Sequence, residues 1–108
     1  MQDSITKILK AIADPKRREI FHALIITSSA LSISQISGQF EISRQGVTKH
    51  IKTLESAGLV EITTHGRERF CVADAKPLKQ ITEWASFYEQ FWDKAIDNLG
   101  NFLDSKES

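Results

Sequence analysis

At Gly58 the sequence changes its period. Between Ser43 and Ala57 the apolar residues Val47, Ile51 and Leu54 recur at three- and four-residue steps, which places them on one face of a helix. Beyond Gly58 apolar and polar residues alternate, as they do along a half-buried strand. A glycine at this point supplies the left-handed residue that ends a helix, so the chain must pass there from helix to strand. Leu59-Val60-Glu61-Ile62-Thr63 and Glu68-Arg69-Phe70-Cys71-Val72 read as the two strands of a hairpin around His65-Gly66. A two-residue loop sets Ile62 opposite Arg69. A three-residue loop over His65, Gly66 and Arg67 sets Ile62 opposite Phe70 and Val60 opposite Val72, which keeps the apolar face continuous and is the expected register. It leaves Arg67 at the tip and Arg69 on the outer face.

Upstream, Ile5, Ile8, Leu9 and Ile12 recur at helical spacing behind Asp3 and Ser4, which can cap a first helix. Asp14-Pro15 restarts the chain, with Asp14 as cap and Pro15 in the first turn of a second helix that buries Ile20, Phe21, Leu24 and Ile25. Thr27 to Ala30 is a polar loop. Ser34 begins a short third helix with Ile36 and Phe40 inward, the chain turns at Glu41-Ile42, and Ser43 caps the fourth. Two short helices joined by a tight turn make a helix-turn-helix. From Pro77 to Leu103 the pattern is one long helix, whose stripe of Ile81, Trp84, Tyr88, Phe91, Ala95 and Phe102 is widened by Leu78, Trp92 and Leu99. The expected architecture is mainly helical, a winged helix-turn-helix over 1–76 with a two-stranded wing, and a helix and tail over 77–108 belonging to the same compact unit.

Across the 108 residues 14 basic and 14 acidic side chains cancel, so net charge favours no class of partner. Their distribution is informative: residues 1–42 carry five basic and four acidic groups, residues 43–73 five and three, and residues 74–108 four and seven. The middle segment is the one suited to phosphate. No apolar run approaches the roughly 20 residues of a membrane span, and the Met1-Gln2-Asp3 start is not that of a secretory signal, so a cytoplasmic protein is expected. A single cysteine, Cys71, excludes an intrachain disulfide and is read as a small strand hydrophobe, with a redox-responsive thiol as the alternative.

With Val47, Ile51 and Leu54 inward, Gln45, Lys49, Lys52 and Ser56 point outward and Thr48 and Thr53 stand at the edges, a face with two lysines and no acid. Its first part, Ser43, Arg44, Gln45, Thr48 and Lys49, is the portion such a helix inserts into a major groove. Gln45 suits adenine and Lys49 guanine, whereas Lys52 sits where phosphate is the natural partner. His50 lies on the helix flank, within reach of backbone or phosphate. Arg67 and Arg69 on the wing would contact the adjacent minor groove or backbone. A solvated amphipathic helix explains the fourth helix alone, but not the capped helix before it, the Gly58 stop and the basic hairpin after it. The face of the last helix, Ile81, Trp84, Tyr88, Phe91, Trp92, Ala95, Leu99 and Phe102, is wider than one small domain covers and is the expected dimer interface.

The segments AIADPKRREIFHAL, ISRQGVTKHIKTLESAGLV and GRERFCV resemble successive signatures of the arsenical-resistance-repressor (ArsR) family, in the same order and at similar spacing. PLKQITEWASFYEQFWDKAIDNLGNFL is similar to the last helix of a metal-independent branch. The resemblance spans nearly the whole chain and implies a homodimer that binds double-stranded operator DNA, roughly palindromic, and usually represses transcription. Two departures matter. Ser32-Ile33-Ser34-Gln35-Ile36-Ser37 holds no thiol or imidazole where metal-sensing members carry paired cysteines, and no histidine follows His65 for a site on the last helix, so no metal or cofactor is expected. Gln45-Gly46 also replaces residues typical of the branch, and nothing in the sequence accounts for Gly46. His22, His50 and His65 lie on three elements in no ligand pattern. No phosphate loop, metal motif or nucleophile with a nearby base supports an enzyme. The competing readings are a winged helix that docks a protein partner, and a small-molecule- or redox-responsive regulator holding an unidentified effector between the aromatic helix and the body.

Overall fold

Two helices begin because their caps are in place. The computed structural model describes residues 3–107. Asp3 accepts from the Thr6 amide at 2.7 Å and opens α1 (Ser4–Ala13), and Asp14 accepts from the Arg17 amide at 3.0 Å and opens α2 (Pro15–Thr27) with Pro15 in its first turn. A short strand β1 (Leu31–Ser32) leads into α3 (Ile33–Phe40), closed at its start by a reciprocal pair: the Gln35 amide donates to Ser32 Oγ, and Gln35 Oε1 accepts from the Ser32 amide. The third helix therefore starts at Ile33 rather than Ser34. Glu41, at φ 54°, turns the chain, and α4 (Arg44–Ser56) follows behind Ser43.

The end of α4 bears out the Gly58 reading in detail. Gly58 has φ 78°, its amide donates to Glu55 O, and the Leu59 amide donates to Leu54 O at 3.0 Å. These are the two bonds of a Schellman closure, and the apolar pair that accompanies it, Leu54 and Leu59, is fully buried. The core lies where α4 packs against α1, α2 and α3, with Ile8, Ile20, Ile36, Val47 and Ile51 inward.

The hairpin consists of β2 (Val60–His65) and β3 (Glu68–Ala73), and its register differs from the expected one. His65 faces Glu68 across a two-residue loop of Gly66 and Arg67, so Ile62 lies opposite Cys71 and Val60 opposite Ala73. Gly66, at φ 65°, holds the first central position, where a II′ turn requires glycine. Cys71 is thus the inward residue of β3, while Phe70 and Val72 stand on the other face, Phe70 edge-on to His65 at 5.8 Å. Arg69 shares the parity of Cys71 and lies on the inner face, not the outer one. The wing is also broader than a hairpin: β1 pairs antiparallel with β3, Leu31 opposite Cys71, giving the strand order β1-β3-β2.

The chain divides into two compact units, Met1–Leu78 and Lys79–Ser108. The first ends in a 3-10 turn, Lys76–Leu78. The second contains α5 (Lys79–Glu89) and α6 (Trp92–Glu107), so the long helical stretch is interrupted at Gln90 and Phe91. There the Gln90 side-chain amide donates to Phe87 O and the Phe91 amide donates to Tyr88 O at 3.0 Å, a tightened turn replacing the regular ladder. Among the described residues no helix is long and apolar enough to cross a membrane.

Candidate nucleic-acid interface

Ser43 shapes the start of α4. Its hydroxyl accepts from the Gly46 amide at 3.0 Å, so it caps the helix. Gly46 is explained by the same turn: a Cβ at this position would stand 2.7 Å from Ile42 Cγ2 and 3.2 Å from Ser43 Oγ. The absence of a side chain lets the turn between α3 and α4 close directly over the first turn of the helix. The Ser37 hydroxyl donates to Ile42 O, and the Ile42 amide donates to Ser37 O, which fixes that turn from the α3 side.

With Val47, Ile51 and Leu54 in the core, the opposite face of α4 borders a concave groove of about 470 Å³. Arg44, Gln45 and Thr48 line its first part, Lys49 and Lys52 its length, and Arg69 of β3 its far wall, with Ile33 as an apolar patch. Among the described residues four cations and no carboxylate line it. Arg69 is held in this position by a hydrogen bond from its Nη2 to Thr48 Oγ1 at 3.3 Å, and the Thr48 hydroxyl itself donates to Arg44 O at 2.8 Å. The wing and the helix therefore present one cationic surface.

Three of the nine expected contact residues stand apart from the groove. Ser43 is occupied as a cap, Arg67 sits in the hairpin loop, and His50 turns away toward α2, where its Nδ1 lies 3.5 Å from Arg17 Nη1. Arg17 was not singled out by the sequence. Its Nε donates to Ala11 O at 2.6 Å and its Nη2 to Lys10 O at 2.9 Å, so one guanidinium closes the carbonyl end of α1 beside α4. Arg18 does the same from the other side, with Nη1 donating to Ile12 O and Ala13 O. The Arg17 amide and the nearby positive charge hold the Asp14 carboxyl below its usual range. Cys71 has no measurable exposure, and burial pushes its thiol up to about 11. Among the described residues no cluster of three or more His, Cys, Asp or Glu side chains is arranged for a metal ion.

In the second unit, Trp84 and Tyr88 on α5, Phe91 in the turn, and Trp92, Leu99 and Phe102 on α6 are all exposed, while Ile81 is half-buried. The side chain of Ala95 lies outside the described residues. Phe87, 58% exposed, joins the group: its ring lies 5.1 Å from Tyr88 and 5.6 Å from Phe91. The three- and four-residue steps taken from Trp84 to Tyr88 to Phe91 passed over it.

Residues 12–63, which contain the α3-α4 pair, match the model of a helix-turn-helix domain family. The chain is 35% identical over 79 residues to YuzN, an uncharacterised HTH-type transcriptional regulator of Bacillus subtilis, covering 68% of this chain and 86% of the relative. Among solved structures it is similar to an ArsR-like transcriptional regulator from Rhodococcus sp. RHA1, with a TM-score of 0.76 at 25% identity over 94% of this chain and 92% of that one. It also shares the fold of the homodimeric winged helix-turn-helix DNA-binding domain of Mb0332 from Mycobacterium bovis, with a TM-score of 0.64 at 17% identity over 83% and 82% of the two chains. The ordered signatures of the sequence, the capped helix pair and wing, and these relatives agree on one assignment: the chain belongs to the ArsR-type winged helix-turn-helix family of DNA-binding transcriptional regulators.

Proposed function

We propose that this regulator binds a roughly palindromic operator as a homodimer, in the cytoplasm and without a metal cofactor or catalysis of its own, and represses transcription by occupying a promoter. The observation that carries the reading is the groove along α4, with four cations, an amide at Gln45 and no acid. In this reading α4 enters the major groove, Gln45 and Lys49 address base edges, and Arg44, Lys52 and Arg69 neutralise phosphate, with Arg67 reaching the backbone from the wing tip. Ser43 acts through the cap, and His50 through Arg17. A two-fold dimer puts its half-sites about 34–36 Å apart, one turn of the duplex. The homodimeric state given for the Mycobacterium bovis domain and the exposed aromatic face of α5 and α6 support dimerisation through the second unit. The lack of both metal-ligand sets supports the metal-independent branch.

The test selects bound sequences from a random duplex pool and then measures affinity against salt on the selected and scrambled DNA. Gln45→Ala should lose about 1–3 kcal/mol of discrimination at particular base pairs if its contact is bidentate. Lys52→Ala should weaken both DNAs alike and flatten the salt slope by about one per lost phosphate contact, doubled in a dimer. Variants that bind both DNAs as the unaltered protein does would refute the groove and favour a protein-docking winged helix.

A further inference from the structure

Away from the basic groove, the first unit contains a second concavity, of about 400 Å³. One wall is apolar and comes from Phe21 and Ile25, one turn apart on α2, and from Ile12 at the end of α1. Ala75 and Leu78 form the other wall. The remaining two lining residues are Arg18 and His22, again one turn apart on α2, so both polar heads fall along a single edge. Among the described residues no carboxylate lines the cleft. Its volume lies toward the lower end of the roughly 300–1,000 Å³ range of small-molecule sites, which typically combine an apolar lining with a few convergent polar groups.

The charge is fixed as well as present. Arg18 Nη1 donates to Ile12 O at 2.6 Å and to Ala13 O at 3.2 Å, which anchors the guanidinium at the carbonyl end of α1. Its Nη2 has no hydrogen-bond partner among the described residues. A planar cation held in place, with donors to spare beside an imidazole and an apolar cleft, matches a carboxylate head on a short hydrocarbon body. A neutral apolar molecule leaves the Arg18 edge unused, and a cationic one is repelled by it. Nothing in the proposed DNA recognition uses these residues, and the described residues that line the cleft all belong to the first unit.

We propose that this cleft is a binding site for small amphipathic carboxylates, with the carboxylate on Arg18 and His22 and the hydrocarbon against Phe21, Ile25 and Leu78. The inference stands apart from the DNA reading, and its test contains no DNA. The full chain, labelled at its isoleucine, leucine and alanine methyl groups, is titrated with octanoate below its micellar range and followed by NMR. Saturable shifts at Ile12, Ile25, Ala75 and Leu78 are expected, with one ligand per chain. Octan-1-ol should bind at least tenfold more weakly, and octyltrimethylammonium should give no saturable shift at these methyls. Filling the cleft with Ile25→Trp or, independently, Ala75→Leu should weaken octanoate at least tenfold while circular dichroism and thermal unfolding show a folded chain. His22→Gln should weaken it several-fold. Equal binding of acid and alcohol, unchanged affinity in a folded cleft-filling variant, or no saturable shift because a second copy of the chain already fills the cleft would each overturn the proposal.

Discussion

Gly46 shows how one missing methyl group can outweigh a local preference. In a helix interior alanine is favoured over glycine by roughly 1 kcal/mol. Here the added Cβ would press on Ile42 Cγ2 at 2.7 Å, and overpacking of that kind costs typically 1–3 kcal/mol. Gly46→Ala should therefore be neutral to destabilising by up to about 2 kcal/mol instead of stabilising, and Ile42→Ala, which removes the obstructing carbon, should restore the ordinary alanine gain. Denaturant unfolding of the two single variants and the double variant gives the coupling directly. Cys71 yields a second prediction. Burial raises its folded pKa to about 11, above the ordinary thiol value of 9.0, so the folded chain holds the proton more tightly than the unfolded one. The associated stability is complete below pH 9 and is lost as pH rises toward 11, an effect on the order of 2–3 kcal/mol. The difference in stability between the unaltered protein and Cys71→Ala should shrink over that interval, and alkylation of the native thiol should be slow at neutral pH. The position of Gly58 was legible in the sequence because it interrupts a pattern. The reason for Gly46 was not, because it depends on the path of a turn that the sequence does not display.

Elements were legible where one periodicity dominated, as along α4, and less so where two arrangements satisfied the same alternation. The hairpin is the clearest case. Phe70 and Val72 are the larger apolar residues of β3, and a reading that maximises inward volume turns them to the core. The loop decides otherwise: a three-residue loop over His65 to Arg67 would put Arg67 where a left-handed glycine is usual, whereas Gly66 at the first position of a two-residue loop needs no strain. The placement of glycine within the loop was the informative signal. Pairing of β1 with β3 left even less trace, since two residues cannot show a period. The corrected register brings Arg69 to the side of α4, and its bond to Thr48 leads to a prediction for the pair of elements. Thr48→Val keeps the shape of the side chain and removes the hydroxyl. DNA affinity should fall by about 1 kcal/mol, roughly fivefold, and the same substitution in an Arg69→Ala background should change little. Equal effects in both backgrounds would show that Thr48 acts without Arg69.

At the scale of the whole molecule the aromatic residues of α5 and α6 present more apolar surface than a monomer normally leaves to water; Trp92 alone is 60% exposed and Phe87 58%. Phe91→Glu should yield monomers or insoluble protein, and sedimentation of the unaltered chain at micromolar concentration should show a dimer. A wild-type monomer would contradict the assembly. Within the first unit the Schellman closure has a mechanical consequence. Because Leu54, four residues before Gly58, and Leu59, directly after it, are buried together, helix α4 and strand β2 leave the core as a single bent lever, and Arg69 ties the neighbouring strand to the same helix. The spacing between that helix and the wing is thus held as a gauge, by the closure at Gly58 and by the bond from Arg69 to Thr48. A duplex whose groove spacing does not match the gauge must itself twist or bend to be held, and the protein would then sort sequences by their stiffness at base pairs it never touches.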